Sequence, residues 1–69
     1  MQNRIREYRK RQGLTQLELA VRAKVGRSSI SEIERGLRLP YIDTAFLIAY
    51  ALDSSVEDIF YFEKGQNDE

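Results

Sequence analysis

The segment Arg27 to Arg35, RSSISEIER, places two isoleucines three residues apart and surrounds them with guanidinium, hydroxyl and carboxylate groups. On a helix with Ile30 and Ile33 inward, Arg27, Ser28, Ser31, Glu32 and Arg35 project outward or sideways. The chemistry open to such a set is hydrogen bonding inside a nucleic-acid groove. An arginine donates in a pair to guanine O6 and N7, a serine hydroxyl bonds several bases, and a glutamate accepts from cytosine N4. The same pattern also describes an ordinary solvated helix face, with Glu32 paired to Arg35 one turn on. Bond-breaking chemistry is poorly supplied. The chain has no histidine and no cysteine, which removes the commonest general base and metal ligand together with thiolate sites and disulfides. No nucleophile with a base beside it is evident, so neither an enzyme nor a cofactor is expected.

The elements that must hold this set can be read from caps and periodicity. Thr15 and Glu18 form a T-x-x-E capping box that starts a helix running to about Ala23. Its inward stripe is Leu19, Ala20 and Ala23, narrow enough for a close helix crossing. Lys24, Val25 and Gly26 are too few to reverse the chain, so the next helix, about Arg27 to Arg35, lies across the first at a steep angle. Gly36 supplies a left-handed residue to end it. Residues 15–36 therefore read as a helix-turn-helix. Gly26 is a weak cap, and the competing S-x-x-E of Ser29 and Glu32 could move the start of the second helix by a turn.

A further helix precedes this unit, about Asn3 to Gln12, burying Ile5 and Tyr8 and stopping at Gly13. Pro40 opens another, about Tyr41 to Leu52, with a core face of Ile42, Ala45, Ile48, Ala49 and Leu52. Phe46, Leu47 and Tyr50 lie outside that stripe, so the helix is apolar nearly all round. Either a second subunit or the chain's own tail must cover it. Ser55 and Asp58 make a second capping box for a short fifth helix with Val56 and Ile59 inward. Phe60, Tyr61 and Phe62 are strand formers and could pair with Met1 to Asn3. The polar end, Gln66 to Glu69, is expected to fray.

The run L-T-Q-x-E-L-A-x-x-A-x-V-x-R-S-x-I-S-x-I-E-R-G, followed by Pro40 and V-E-D-I-F, resembles the Cro/CI-type (XRE-like) helix-turn-helix transcriptional regulators over about residues 3 to 60. The resemblance implies an all-α, five-helix, lambda-repressor-like DNA-binding domain, here with a short terminal β-hairpin. It also implies a homodimer that places its third helix in the major groove of double-stranded DNA. The matching positions make Arg27, Ser28 and Glu32 base readers, with Ser31 a lesser one. Gln16 matches the residue that bonds a phosphate at the start of the second helix, with Thr15 beside it. Ser29 is expected on backbone phosphate, and Arg35 and Arg38 can reach the next phosphates of the same strand. The resemblance further implies that Arg9 pairs with Glu34 as a structural ion pair, phosphate contact by Arg9 being the other reading. Lys24 departs from the family's turn glycine, so a side chain must tolerate left-handed backbone there at a strain of about 1 kcal/mol. Relatives often carry lysine where Leu47 and Tyr50 stand, a departure that points to a contact surface, and the dimerisation region is expected over about residues 41–64. Its expected contacts are Phe46, Leu47, Tyr50, Phe60, Tyr61 and Phe62.

With 69 residues, one domain with a modest core is expected, and dimerisation is a source of added stability. The formal charge of zero hides a division. Up to Arg38, ten basic residues stand against four acids, giving +6, and beyond it Lys64 stands against seven acids, giving −6. A cationic face suits phosphates, and the acidic end orients the molecule; the alternative is two merely solvated blocks. No apolar run approaches the roughly 20 residues of a membrane span, and the basic N-terminal helix lacks a signal peptide's apolar core. These features lead to the expectation of a cytoplasmic DNA-binding regulator, most simply a repressor on a near-palindromic operator, with no evident small-molecule effector. The competing expectation is an antitoxin-like or control protein whose fourth helix and aromatic tail bind a different polypeptide.

Overall fold

Both capping boxes form. Thr15 Oγ1 accepts from the Glu18 N–H at 3.0 Å while Glu18 Oε1 accepts from the Thr15 N–H at 2.8 Å, and Ser55 and Asp58 reciprocate at 3.2 Å each. In the computed structural model, which describes residues 1–62, these boxes open two of five helices. The order is β1 (Gln2–Asn3), α1 (Ile5–Arg11), α2 (Gln16–Ala23), α3 (Arg27–Glu34), α4 (Ile42–Ala51), α5 (Val56–Ile59) and β2 (Phe60–Tyr61). The two strands pair antiparallel, Gln2 opposite Tyr61 and Asn3 opposite Phe60, so the ends of the described chain are zipped together. The Arg4 N–H donating to the Ile59 carbonyl at 2.7 Å prolongs this seam. Positions 63 and 64 of the expected dimerisation region, and the Gln66 to Glu69 end, lie outside the described residues.

Four helices end alike. After α1, the Gly13 N–H reaches the Lys10 carbonyl and the Leu14 N–H reaches Arg9. The same double closure follows α2 at Lys24 and Val25, α3 at Gly36 and Leu37, and α4 at Asp53 and Ser54. The first residue of each pair has positive φ, from 56° at Asp53 to 77° at Gly36. This closure satisfies carbonyls that the helix leaves without partners. At the first two ends it also tucks Leu14 and Val25 against the core, whereas Leu37 is left exposed.

One apolar cluster fills the centre. Ile5, Leu19, Ile30, Ile33, Ile48, Leu52 and Ile59 are fully buried, and the small residues Ala20, Ala23, Ala45 and Ala49 sit between them. Burying each isoleucine contributes roughly 1.5–3 kcal/mol, which is what fixes the rotation of α3 and hence which of its residues face outward. Two expectations need correction here. Ile42 is not a core residue: it is 77% exposed, because it begins α4 beyond the reach of neighbouring elements, and the inward stripe starts at Ala45. Phe60 is 7% exposed and fills the chain's own core, since pairing with Asn3 turns its side chain inward rather than toward a second subunit. α1 is also shorter than its periodicity suggests. Asn3 lies in β1, its Oδ1 accepting from the Ile5 N–H at 3.2 Å and its Nδ2 donating to the Ile33 carbonyl at 2.9 Å.

A buried charge pair joins α1 to α3. Arg9 Nε donates to Glu34 Oε2 at 2.7 Å and Nη2 to Oε1 at 3.3 Å, with side chains 11% and 6% exposed. Arg9 Nη1 also donates to the Leu14 carbonyl at 2.8 Å. Arg9→Ala leaves a buried carboxylate without its partner and is expected to lower the unfolding free energy by about 3 kcal/mol. Urea titration reads this directly, and an unshifted midpoint would show that the pair does not hold the fold. Lys24, at φ 60° and ψ 40°, is expected to gain from substitution. Lys24→Gly should raise stability by ~1 kcal/mol, moving the thermal midpoint up by roughly 4–8 °C; a lower midpoint would show that the left-handed turn costs nothing.

Candidate nucleic-acid interface

Two inward isoleucines determine what α3 presents. With Ile30 and Ile33 sealed against the core, Arg27 and Ser28 are exposed at its first turn, and Ser29, Ser31 and Glu32 are partly exposed on its flanks. The helix starts at Arg27, capped by Gly26 without a side-chain bond, so the alternative start at Ser29 is not used. Arg27 makes no ion pair among the described residues and is free to extend from the helix N-terminus.

The helix's other end is more tightly organised than its sequence suggests. Arg35 is exposed and its Nε makes a long 3.4 Å bond to the Ser31 carbonyl, leaving most of the guanidinium free. Glu32 pairs with Arg38 rather than with Arg35. Arg38 Nη1 lies 3.3 Å from Glu32 Oε1, and Nη2 donates to Ser29 Oγ at 2.8 Å. The turn at Gly36 and Leu37 folds the chain back along α3, which is why a residue six positions on reaches Glu32.

Gln16 opens α2 and is half-buried. Its Nε2 donates to Glu34 Oε1 at 3.0 Å, which makes Gln16 the third member of the Arg9 and Glu34 cluster. One amide hydrogen is thereby held inward and the other is left to donate outward. Thr15, exposed beside it, spends an Oγ1 lone pair on the cap and keeps its hydroxyl proton. The Gln16 to Glu34 bond was not anticipated, although a glutamate matched to one internal cation still has acceptor capacity to fill, and a neighbouring amide is the simplest donor.

The apolar surplus on α4 is exposed. Phe46, Leu47 and Tyr50 all reach solvent, Tyr50 at 87%, and Phe46 and Tyr50 border a groove against Val56 of α5. Phe62 is exposed, and Tyr61 is half-buried under the Arg4 guanidinium, 4.0 Å from its ring centre. No helix among the described residues is long and apolar enough to cross a membrane.

The helix-turn-helix family profile HTH_3 matches residues 5–59. A helix-turn-helix-type transcriptional regulator of Methanothermobacter thermautotrophicus is 45% identical over 65 residues, covering 93% of this chain and 94% of its own. Among solved structures, the restriction-modification controller protein C.AhdI from Aeromonas hydrophila superposes with a TM-score of 0.79 at 35% identity, covering 83% of this chain and 86% of that one. The N-terminal DNA-binding domain of SinR from Bacillus subtilis gives a TM-score of 0.73 at 42% identity, covering 77% and 78%. SinR, described as the master regulator for biofilm formation, has also been solved in complex with DNA. The packed pair α2 and α3, its flanking helices and these similarities agree: the chain belongs to the XRE-type helix-turn-helix family of DNA-binding transcriptional regulators.

Proposed function

We propose that this regulator is a repressor that binds a near-palindromic operator as a homodimer, with α3 in the major groove. The observation that carries the reading is the exposed, unpaired Arg27 at the N-terminal turn of a helix whose opposite face is sealed by Ile30 and Ile33. Arg27, Ser28, Glu32 and Ser31 read base edges, with Arg27 bidentate on guanine. Thr15, Gln16, Ser29, Arg35 and Arg38 hold phosphates and set the register of the helix. The backbone N–H groups that open α2, an eight-residue helix, add to the field at Gln16. Dimerisation through α4, using Phe46, Leu47 and Tyr50 with Tyr61 and Phe62 at the margin, is supported by the apolar surface left open there. Phe46, Leu47 and Tyr50 are 59%, 40% and 87% exposed, and clustered exposed apolar residues mark interaction sites. Two copies would read half-sites about 34 Å apart, one turn of DNA.

Binding to duplexes drawn from a random pool tests the assignment residue by residue. Arg27→Ala is expected to cost about 1–3 kcal/mol on the selected site and to relax preference at one base position. Arg35→Ala should weaken all sequences alike and reduce the slope of log affinity against log salt by about one. Equal losses on every sequence for Arg27→Ala would move that residue to the phosphate set. For the assembly, Tyr50→Glu places a charge on the α4 face and is expected to yield a monomer by sedimentation with unchanged helix content. A wild-type chain that sediments as a monomer at micromolar concentration would remove the homodimer from this reading.

A further inference from the structure

The carboxylate of Glu32 poses an electrostatic problem. A negative side chain entering a groove walled by phosphates is repelled at every site, right or wrong, before it accepts any hydrogen bond. We infer that Arg38 is the positioning residue that makes Glu32 usable, forming a clasp over the side of α3 that neutralises the carboxylate and fixes its orientation. The inference rests on the proposed base-reading role of Glu32.

The clasp is built by the chain's own turn. Gly36 and Leu37 close α3 through bonds to the carbonyls of Ile33 and Glu32, at 3.0 and 2.8 Å, and the reversal lays Arg38 over the side chains of Ser29 and Glu32. Those two residues are three apart and share a face of the helix. Only Oε1 of Glu32 bonds Arg38, which leaves Oε2 to accept from a base amine such as cytosine N4. Ser29 Oγ accepts from Arg38, so its proton remains to be donated. Of five guanidinium N–H groups, two serve the clasp and three can still meet a phosphate. Arg38 therefore serves as internal counter-ion and phosphate contact at once, a combination that requires a planar fork of donors. The pair is exposed, at 49% and 41%, so the fold does not depend on it.

The test is a double-mutant cycle on the full chain, with wild type, Arg38→Ala, Glu32→Gln and the double variant titrated against duplexes recovered from a random pool. Arg38→Ala is expected to weaken the selected duplex roughly tenfold when Glu32 is present and only about twofold beside Glu32→Gln, a coupling within the range of groups that share one charge network. Arg38→Ala should also flatten preference at the same base position as Glu32→Gln, an effect that loss of a phosphate contact alone does not produce. Thermal melting verifies that all four chains fold. Equal losses in both backgrounds, with base preference intact, would overturn the clasp and leave Arg38 a plain phosphate contact. Glu32→Gln without effect, while Arg27→Ala still relaxes its own position, would overturn the inference and leave the proposed function standing. Failure of wild type to bind any duplex at low salt would instead overturn the proposed function.

Discussion

The placement of α3 depends on one buried carboxylate. Glu34 is the last residue of α3, the end of a helix where a negative charge is least welcome. It is tolerated because Arg9 meets it with two N–H groups and Gln16 with a third. The three donors and their acceptor come from α1, α2 and α3, so this cluster locks the relative positions of three helices with a directionality that the isoleucine core lacks. Hydrophobic burial specifies that α3 packs with Ile30 and Ile33 inward. The charged cluster specifies how far along its axis it sits.

The same cluster links stability to binding. Gln16 belongs to it through one amide hydrogen and faces outward with the other, so the residue proposed to hold a phosphate is oriented by the interaction that holds the bundle together. Affinity for DNA is sensitive to small displacements of such donors, and a donor fixed by a buried partner is less free to wander than one on a mobile surface side chain. Near the same end of α3, Arg38 pairs with Glu32 as Arg9 pairs with Glu34, in solvent rather than in the interior. Two arginine to glutamate pairs of very different burial thus meet at the last turn of one short helix.

Most of the fold was legible in the sequence because its local signals are unambiguous. Thr15 with Glu18 and Ser55 with Asp58 mark helix starts through bonds between residues three apart, and Gly13 and Gly36 mark ends through backbone freedom. The aromatic run at Phe60 and Tyr61 gave the strand. The Arg9 to Glu34 pair came through the family resemblance; what escaped were tertiary contacts that neither periodicity nor the resemblance carries. Ile42 has the right helical phase to be buried, yet phase says nothing about where the neighbouring helices stop. Phe60 looked like one of three equivalent aromatics, and only its pairing with Asn3 separates it from exposed Phe62. The fold-back of Arg38 and the Gln16 to Glu34 bond depend on tertiary geometry that no periodicity encodes.

The repeated closure at the four helix ends has a consequence for how such a chain can diverge. Each closing residue is bonded back to carbonyls of the helix it ends, so the direction in which the chain departs is set by those bonds together with the positive φ at the corner. Lysine and aspartate occupy two of these corners where glycine occupies the others, so a side chain is held there in left-handed backbone at a strain of about 1 kcal/mol. One residue added between Ala23 and Arg27 is another matter. It would lengthen the turn and force the closure at Lys24 and Val25, with the packing of Val25 on the core, to re-form around the extra residue. A substitution at a corner is therefore weighed by backbone strain, while an inserted residue is weighed by the closure it must rebuild.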